Sequence, residues 1–405
     1  YGLVSRRLDG SVVTGPLLFT LFGLVAGPAA LGWLPLHISN DTVHTLAEVT
    51  LILVLFSDAA NIDLKQLRDD HSVPARLLLI GMPLTIVLGT AAAWLVLDKL
   101  FIWEAALLAA ILAPTDAALG QAVVSNESVP ARIRQGLNVE SGLNDGIALP
   151  LVLLFAALAS AMHPETDSGQ WLAFGAKQVL LGPVAGVAVG YAGAKLVALC
   201  FRTGWMSETA EGMIALGMAF GAFALAEAIH GNGFIAAFVC GLTFGNTLQK
   251  KCQFLWEFAE SEGLILILLT FTAFGAAMIP QAAANITLQH VLVAVLALTL
   301  LRMLPVHIAL LGTGIKPVTS AFLGWFGPRG LASILFALLI LEEAEVAGET
   351  TVFTVVIVTV ALSVVAHGVT AGPAARWYGA MAATMGECAE NRPVDDEPFT
   401  SDKQG

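Results

Sequence analysis

Charged side chains are scarce in this sequence, and their scarcity excludes most classes of protein. Only 12% of the 405 residues are Asp, Glu, Lys or Arg, whereas soluble domains carry about 25%. Hydrophobic residues make up 57% of the chain, and its mean hydropathy is +0.80, which a single buried segment cannot produce. The composition therefore excludes a soluble enzyme and indicates a protein embedded in a membrane.

Cysteine and positive charge are also in short supply. The cysteines have neither CxxC spacing nor the spacing of a metal site, so no disulfide framework and no structural zinc site is expected. The net charge of −12 argues against nucleic acid as a partner and leaves no basic patch for anionic lipid. The four cysteines are Cys200, Cys240, Cys252 and Cys388.

Apolar runs of about 20 residues, the length that crosses a bilayer as a helix, recur along the chain. They predict an all-α membrane protein with about twelve transmembrane helices, of which the eighth is short enough to be re-entrant. The predicted spans are 11–29, 43–61, 75–97, 103–124, 137–161, 175–201, 208–229, 232–247, 261–283, 288–311, 318–341 and 350–377.

Lysine and arginine are distributed unequally between the two sides that these spans define. One side holds most of them and the other side holds only Lys99 and Lys177. Arg302 and Arg329 fall inside spans. Because loops rich in Lys and Arg stay in the cytoplasm, both termini are predicted to be cytoplasmic. The membrane is expected to be a bacterial inner membrane. The residues of the favoured side are Arg6, Arg7, Lys65, Arg68, Arg76, Arg132, Arg134, Lys195, Arg202, Lys250, Lys251, Lys316, Arg376, Arg392 and Lys403.

The last part of the chain changes character. After about residue 380 it is acidic and poor in apolar residues, which is typical of a disordered segment. We therefore predict a transmembrane domain over 1–380 and a disordered cytoplasmic tail over 381–405. The acids of this tail are Glu387, Glu390, Asp395, Asp396, Glu397 and Asp402.

Ionisable residues at bilayer depth are costly, so each is a candidate functional residue. Asp58 lies in the second span and Asp116 at the centre of the fourth. The fifth span opens with two pairs of polar residues spaced four apart, which form one polar stripe on a helix. The oxygens of such a stripe suit a hard monovalent cation. The stripe consists of Glu140, Ser141, Asn144 and Asp145.

Pro114 breaks the fourth span next to Thr115 and Asp116. A proline inside a helix frees a backbone carbonyl, which the membrane tolerates only beside protein or a cavity. The segment is therefore interpreted as a cation-coordinating break, the alternative being a proline kink with a capping Thr and a buried, protonated Asp.

A second proline break lies in the eleventh span at Gly327-Pro328-Arg329-Gly330. Arg329 cannot lose its proton and is predicted to pair with one of the buried carboxylates. Arg302 lies in the tenth span, before Pro305. The two broken spans are seven helices apart and run in opposite directions, as an inverted repeat requires. His230, His307 and His367 are interpreted as hydrogen-bonded packing residues.

Together these motifs resemble the monovalent cation:proton antiporters. Thr115-Asp116, followed by Glu140-Ser141-Gly142-Leu143-Asn144-Asp145-Gly146, is similar to their paired signature. The Asn-Asp form resembles the NhaP-like, electroneutral sodium/proton exchangers, and 327–330 resembles their late Gly-x-Arg-Gly motif. Pro328 and the segment around Asp58, where the family usually has Glu, depart from the pattern. The resemblance implies inverted repeats with two broken helices crossing at the midplane, and a homodimer.

The resemblance also implies a role for each residue. Asp145 would carry cation and proton alternately, and Asp116, Thr115 and Ser141 would complete the coordination of Na⁺. Glu140 and Asn144 would support the site, with Arg329 or Arg302 paired to Glu140, and Asp58 would belong to the same network. The family has thirteen helices, or twelve without the first, and Tyr1 as the opening residue fits a missing first helix.

The predicted function is electroneutral exchange of Na⁺, or Li⁺, for H⁺ through competition at a buried aspartate, with no cofactor and with the bilayer as surroundings. K⁺/H⁺ exchange is the nearest alternative. An ion-binding sensor without flux and an intramembrane aspartyl protease are alternatives from other classes, and the protease requires a Gly where Asn144 stands.

Overall fold

The computed structural model describes residues 13–35, 41–62, 64–65, 72–98, 100–160, 168–206, 208–248, 253–343, 346–386 and 388–391. Within these ranges the chain forms helices joined by turns and short irregular segments, without a strand. The predicted all-α architecture is therefore confirmed. The acids of the predicted tail from Asp395 onward lie outside the described residues.

Fifteen helices are described, and each predicted span overlaps one of them or a consecutive pair. Six helical stretches are long and apolar enough to cross a bilayer, so the total of twelve spans stays a prediction. The helices are α1 Gly15–Ala26, α2 Asp41–Ala60, α3 Ser72–Val96, α4 Ile102–Ile111, α5 Ala117–Val124, α6 Ala131–Ser160, α7 Ser168–Thr203, α8 Glu208–Ala228, α9 Gly233–Leu248, α10 Gln253–Ala273 with its extension Ile279–Ala283, α11 Leu288–Leu298, α12 Leu300–Ala309, α13 Pro317–Trp325, α14 Leu331–Glu343 and α15 Glu349–Ala383.

Two spans are split at the predicted prolines. Residues 112–116 separate α4 from α5, and residues 326–330 separate α13 from α14. The tenth span is also interrupted, but at Thr299, which leaves helical geometry with φ −117° and ψ −98°. Pro305 lies inside α12. Pro83 and Pro280 follow π-helical turns at Leu77–Gly81 and Phe274–Met278. Such a turn changes the hydrogen-bond pattern of the helix where the proline has no N–H to donate.

Helix α9 packs tightly between α2 and α7 because glycines line both contacts. A Cβ on Gly241 or Gly245 would overlap the carbonyl oxygen of Phe56 or Ala60 on α2. Small residues are the usual means by which membrane helices approach this closely. On the other side, Gly182, Gly186 and Gly190 of α7 bring its backbone against α9 in the same way.

Asn246 adds a polar attachment to the same contact. Its side-chain nitrogen donates to Ile62 O at 2.8 Å, and its oxygen accepts from Leu64 N at 2.9 Å. The side chain thereby satisfies main-chain groups that the end of α2 leaves free. α2, which carries Asp58, is thus fastened to α9 by packing and by hydrogen bonds.

A second cluster of buried apolar residues lies at one end of the bundle. It gathers the beginnings of α3 and α6, the second half of α13 and the ends of α5, α12 and α15, through residues that include Leu77, Ile133, Leu323 and Tyr378. The predicted alternation of spans places these parts of the six helices in the same half of the membrane. The packing therefore agrees with that alternation.

The segment after α15 is attached to this end of the bundle. The predicted domain boundary at residue 380 falls inside α15, which continues to Ala383. Glu390 has no exposed surface, and its Oε1 accepts from Lys316 N at 2.7 Å and from Thr319 Oγ1 at 2.9 Å. Arg132 donates to Ala389 O at 2.5 Å. Residues 388–391 are therefore ordered against α13 and α6, and disorder stays a prediction only for 392–405.

Replacement of Gly245 by Ala tests the packing of α9 against α2. The new Cβ would overlap Ala60 O, and overpacking of this kind costs about 1–3 kcal/mol. We expect a lower thermal unfolding temperature in detergent. Gly221→Ala on α8 is the control because its Cβ would meet no atom within 4 Å. Equal unfolding temperatures for the two variants would contradict the proposed close contact.

The Glu390 carboxylate predicts a pH-dependent attachment of the last described segment. Burial raises the pKa of Glu390, but the hydrogen bonds from Lys316 N and Thr319 Oγ1 help to lower it by more than burial raises it. The pKa therefore lies below the ordinary value. A depressed pKa stabilises the fold above the unfolded value of about 4.3, and the contribution disappears as the pH falls through the folded value. Glu390→Gln should therefore lower the unfolding temperature at pH 7, whereas wild type and variant should converge as the pH falls through the depressed pKa of the folded state. A pH-independent difference would show that the charge is not involved.

Candidate functional site

The two helix breaks lie in direct contact inside the bundle. Asp116 N, in the first break, donates to Pro328 O in the second at 2.8 Å. In the other direction, Arg329 Nη1 donates to Ala113 O and, at 2.9 Å, to Pro114 O. The predicted meeting of the two broken helices is therefore confirmed, and each break satisfies polar groups that the other leaves unpaired.

Asp116 lies where two helices begin. Its Oδ1 accepts from Ala118 N at 2.7 Å and from Leu119 N at 3.2 Å, at the start of α5. Its Oδ2 accepts from Leu331 N at 2.6 Å, at the start of α14. Helix N-termini carry partial positive charge and free N–H groups. One carboxylate therefore compensates both, and the two N-termini that face it belong to half-helices running in opposite directions.

Arg329 lies where α4 ends. It has no exposed surface, and its guanidinium donates to the carbonyl oxygens of Ala113 and Pro114. These oxygens carry the partial negative charge of a helix C-terminus. The prediction that Arg329 pairs with a buried carboxylate is wrong for the described residues, because its partners there are main-chain carbonyls. Glu140 interacts with it only through space.

The two glycines of the second break make room for charged side chains. A Cβ on Gly330 would overlap the carboxylate of Asp116, and a Cβ on Gly327 would overlap the guanidinium of Arg302. The two glycines and the arginine of the motif Gly-Pro-Arg-Gly thus each have a structural role. Each Gly admits one charged group from another helix, and Arg329 between them satisfies the opposite break.

Arg302 is the partner of Glu140. Its Nη1 lies 2.6 Å from Glu140 Oε1 and its Nη2 donates to Oε2 at 2.8 Å, a bidentate pair. Both side chains are only 2% exposed. Of the two arginines that the resemblance allowed, the geometry selects Arg302. The pair joins α12 to α6, next to the break that Gly327 opens.

Thr115 connects the first break to the polar stripe of α6. Ser141 Oγ donates to Thr115 O at 2.7 Å, and Asn144 Nδ2 donates to Thr115 Oγ1 at 2.7 Å. All four stripe residues are buried. The predicted stripe and the predicted break therefore form one site, in which Asn144 and Ser141 set the position of Thr115.

Asp145 has no hydrogen-bond donor in this site. Its Oδ1 and the Oδ1 of Asn144 are both buried, and neither has a partner among the described residues. Asp145 interacts through space with Asp58 and Asp116, and Asp58 on α2 is partly buried. Buried oxygens without donors cost free energy unless something else occupies the space beside them. Carboxylate, amide, hydroxyl and carbonyl oxygens are suited to a hard cation or a proton.

Some features of the site were not predicted from the sequence. Asp116 was assigned to cation coordination, but three backbone N–H groups already use both of its oxygens. His367 and Ser363 of α15 contact the second break through Trp325 O and Arg329 N. The interpretation of His367 as a hydrogen-bonded packing residue is confirmed, but no sequence pattern indicated that it and Ser363 lie against the second break. Glu390 resembled an ordinary acid of a polar tail.

A double-mutant cycle tests the Arg302–Glu140 pair. Arg302→Met alone leaves a buried carboxylate without its partner, which costs about 3–5 kcal/mol. The double variant Arg302→Met/Glu140→Leu removes both charges and should recover most of the loss. Thermal unfolding in detergent measures both. Arg329→Met tests the assignment of partners, because Glu140→Leu should not rescue it. Rescue of the Arg329 variant instead would contradict the pairing.

The chain is similar to known proteins over most of its length. Residues 1–377 match the family model described as "Sodium/hydrogen exchanger, transmembrane". The K⁺/H⁺ antiporter NhaP of Alkalimonas amylolytica is 25% identical over 378 residues, which cover 93% of this chain and 64% of the relative. A Na⁺/H⁺ antiporter of Saccharomyces cerevisiae is 27% identical over 377 residues, covering 85% of this chain and 37% of the relative. The chain thus spans less than two thirds of the length of either relative.

The fold is also that of a solved structure. The sodium proton antiporter MjNhaP1 from Methanocaldococcus jannaschii, determined at pH 8, superposes with a TM-score of 0.75 at 18% identity, covering 92% of this chain and 96% of that one. At this identity the likeness establishes the fold, which is the predicted sodium/proton antiporter fold with two broken helices. The family consists of exchangers and not of enzymes, which removes the protease alternative. With the family match across 1–377, this chain belongs to the sodium/hydrogen exchanger family.

Proposed function

We propose that this chain exchanges a monovalent cation for protons across a membrane, with Asp145 as the group that binds each in turn. The observation that carries the proposal is the pair of buried oxygens without donors, Asp145 Oδ1 and Asn144 Oδ1. Beside them lie Ser141 and Thr115, which already contact each other. Family membership and the names of the relatives support an antiporter.

The mechanism follows from the cost of an empty charged site. A buried carboxylate without a hydrogen-bond donor is expensive to carry through the membrane, whereas the same group with a proton or a cation is neutral. Cation and proton therefore exclude each other at Asp145. Alternating access, with one part of the bundle moving against the other, then exchanges one for the other. Because Asn144 is uncharged, one charge crosses in each direction and the cycle is electroneutral.

Asp116 has a different task in this proposal. Its oxygens already accept from the starts of α5 and α14, so it holds the two breaks together and contributes at most a remaining lone pair to the cation. Thr115 and Ser141 offer neutral oxygens, and Asp58 adds negative charge from α2. The carrier and the structural acid are thus adjacent but distinct.

Sodium is the proposed cation, with lithium as a congener. Potassium is the second candidate, since relatives carry both names, K⁺/H⁺ and Na⁺/H⁺ antiporter. The proposal includes a bacterial inner membrane, N- and C-termini that are both cytoplasmic, and a homodimer. Reconstitution into liposomes containing a pH dye, with external pulses of Na⁺, Li⁺ or K⁺, shows which of these cations drives proton movement. Ion binding without proton movement would favour a sensor.

Replacement of Asp145 by Asn tests the carrier. The amide cannot alternate between charged and protonated forms, so cation-driven proton movement should fall to the rate of empty liposomes. Asp98→Asn is the control, because Asp98 is exposed and its partner Gln289 lies far from the breaks along the chain. An unchanged unfolding temperature establishes that the variant is folded. Exchange at a rate near that of wild type in Asp145→Asn would refute the assignment.

A further inference from the structure

Helix α15 presents a row of polar side chains to the second break. Ser363, His367 and Thr370 are spaced four and three residues apart and therefore share one helix face. Trp325, the last residue of α13, donates from Nε1 to Thr370 Oγ1 at 3.0 Å. Ser363 contacts Arg329 in the break, and His367 contacts the main chain of Trp325 next to it. The partners of these three side chains across the contact are main-chain atoms and the indole nitrogen of Trp325. The proposed carrier Asp145 is not one of them.

His367 satisfies the carbonyl with which α13 ends. Its Nε2 lies 2.9 Å from Trp325 O, and its Nδ1 lies 3.1 Å from Ser363 Oγ and 3.0 Å from Ser363 O. Because Ser363 O belongs to the hydrogen-bond ladder of α15 whereas Trp325 ends α13, we assign the hydrogen to Nε2, which leaves Nδ1 as an acceptor for the Ser363 hydroxyl. The ring also packs against the indole of Trp325, with 5.1 Å between centroids. The imidazole has no exposed surface.

Ser363 continues this chain of hydrogen bonds to Arg329. Arg329 N donates to Ser363 Oγ at 2.8 Å, and the hydroxyl can pass its own hydrogen to His367 Nδ1. The Arg329 guanidinium meanwhile donates to Pro114 O, one residue before Thr115. A connected path of contacts therefore runs from α15 through the second break to the first break.

We propose that His367 and Ser363 are positioning residues of the cation site, which hold the main chain of the second break so that Arg329 fixes the first break beside Thr115. This inference rests on the proposed function for its effect on transport. The two residues touch neither the cation nor the proton. They determine where the neutral oxygens of the site, such as those of Thr115, lie.

The physical reason is that a break in a buried helix leaves main-chain groups without helical partners. Asp116 satisfies Leu331 N, at the start of α14. Trp325 O, at the end of α13, and Arg329 N, inside the break, have their partners on α15, a continuous helix of 35 residues. If these are removed, buried polar groups stay unpaired, and the break shifts without loss of the carrier Asp145.

The effect should appear in the affinity for the cation. His367→Leu is expected to raise the apparent KM for Na⁺ about tenfold in the liposome assay, while Vmax per folded protein changes by less than about twofold. His367→Gln keeps an N–H that can reach Trp325 O and should restore most of the affinity. Ser363→Ala should resemble His367→Leu. His290→Leu, at the start of α11, is the matched control because its described hydrogen bonds are with Thr287 and Asn285, beside the start of its own helix.

Hydrogen–deuterium exchange provides a readout that does not depend on transport. The amides of 326–331 should exchange faster in His367→Leu and Ser363→Ala, remain protected in His367→Gln, and be unaffected in His290→Leu. Loss of Vmax at constant KM, or unchanged exchange of these amides, would overturn the positioning role. If wild type moves no protons while the amides respond as expected, the proposed function fails and the attachment of the break to α15 stands.

Discussion

The structure depends on how two interrupted helices are satisfied in the interior of a bundle. Each interruption leaves N–H groups on one side and carbonyl oxygens on the other, and neither water nor lipid can be assumed to compensate them. One carboxylate, Asp116, meets the N–H groups of α5 and α14, and one guanidinium, Arg329, meets the carbonyl oxygens at the end of α4. The charges are opposite to the partial charges of the helix ends that they face. The crossing is therefore held by electrostatic complementarity as well as by packing.

A second pair of charges, Arg302 and Glu140, is bound within itself and leaves no net charge beside the crossing. Once these four groups are assigned, Asp145 is the remaining buried acid without a hydrogen-bond donor among the described residues of the site. The distinction matters because a bilayer-depth acid is equally conspicuous in sequence whether it caps a helix or binds an ion. Hydrogen-bond accounting separates the two uses.

Much of this arrangement could be predicted from the sequence, and the remainder required coordinates. The positions of the helices follow from apolar runs, and the two breaks follow from Pro114 and from Gly327 to Gly330, since proline and glycine act locally. The choice between Arg302 and Arg329 as partner of Glu140 could not be predicted, because it depends on which helix faces α6. The partners of Arg329 are main-chain carbonyls, which carry no signature in side-chain sequence. Glu390 was misjudged because an acid after the last span looks solvated until its contact with Lys316 is seen.

The attachment of α2 to α9 has a consequence for the ion. Asp58 arrives on a helix that Gly241, Gly245 and Asn246 bind to α9, whereas Thr115 and Asn144 are bonded to each other. Among the described residues no hydrogen bond joins Asp58 to α6. The Asp58 side chain is thus held beside Asp145 by helix packing, since α2 lies against α6 at Gly142, whereas Thr115 and Asn144 are held by a hydrogen bond. A movement of α2 relative to α6 would therefore change the distance between the Asp58 and Asp145 carboxylates without breaking a hydrogen bond of the Asp58 side chain within the described residues.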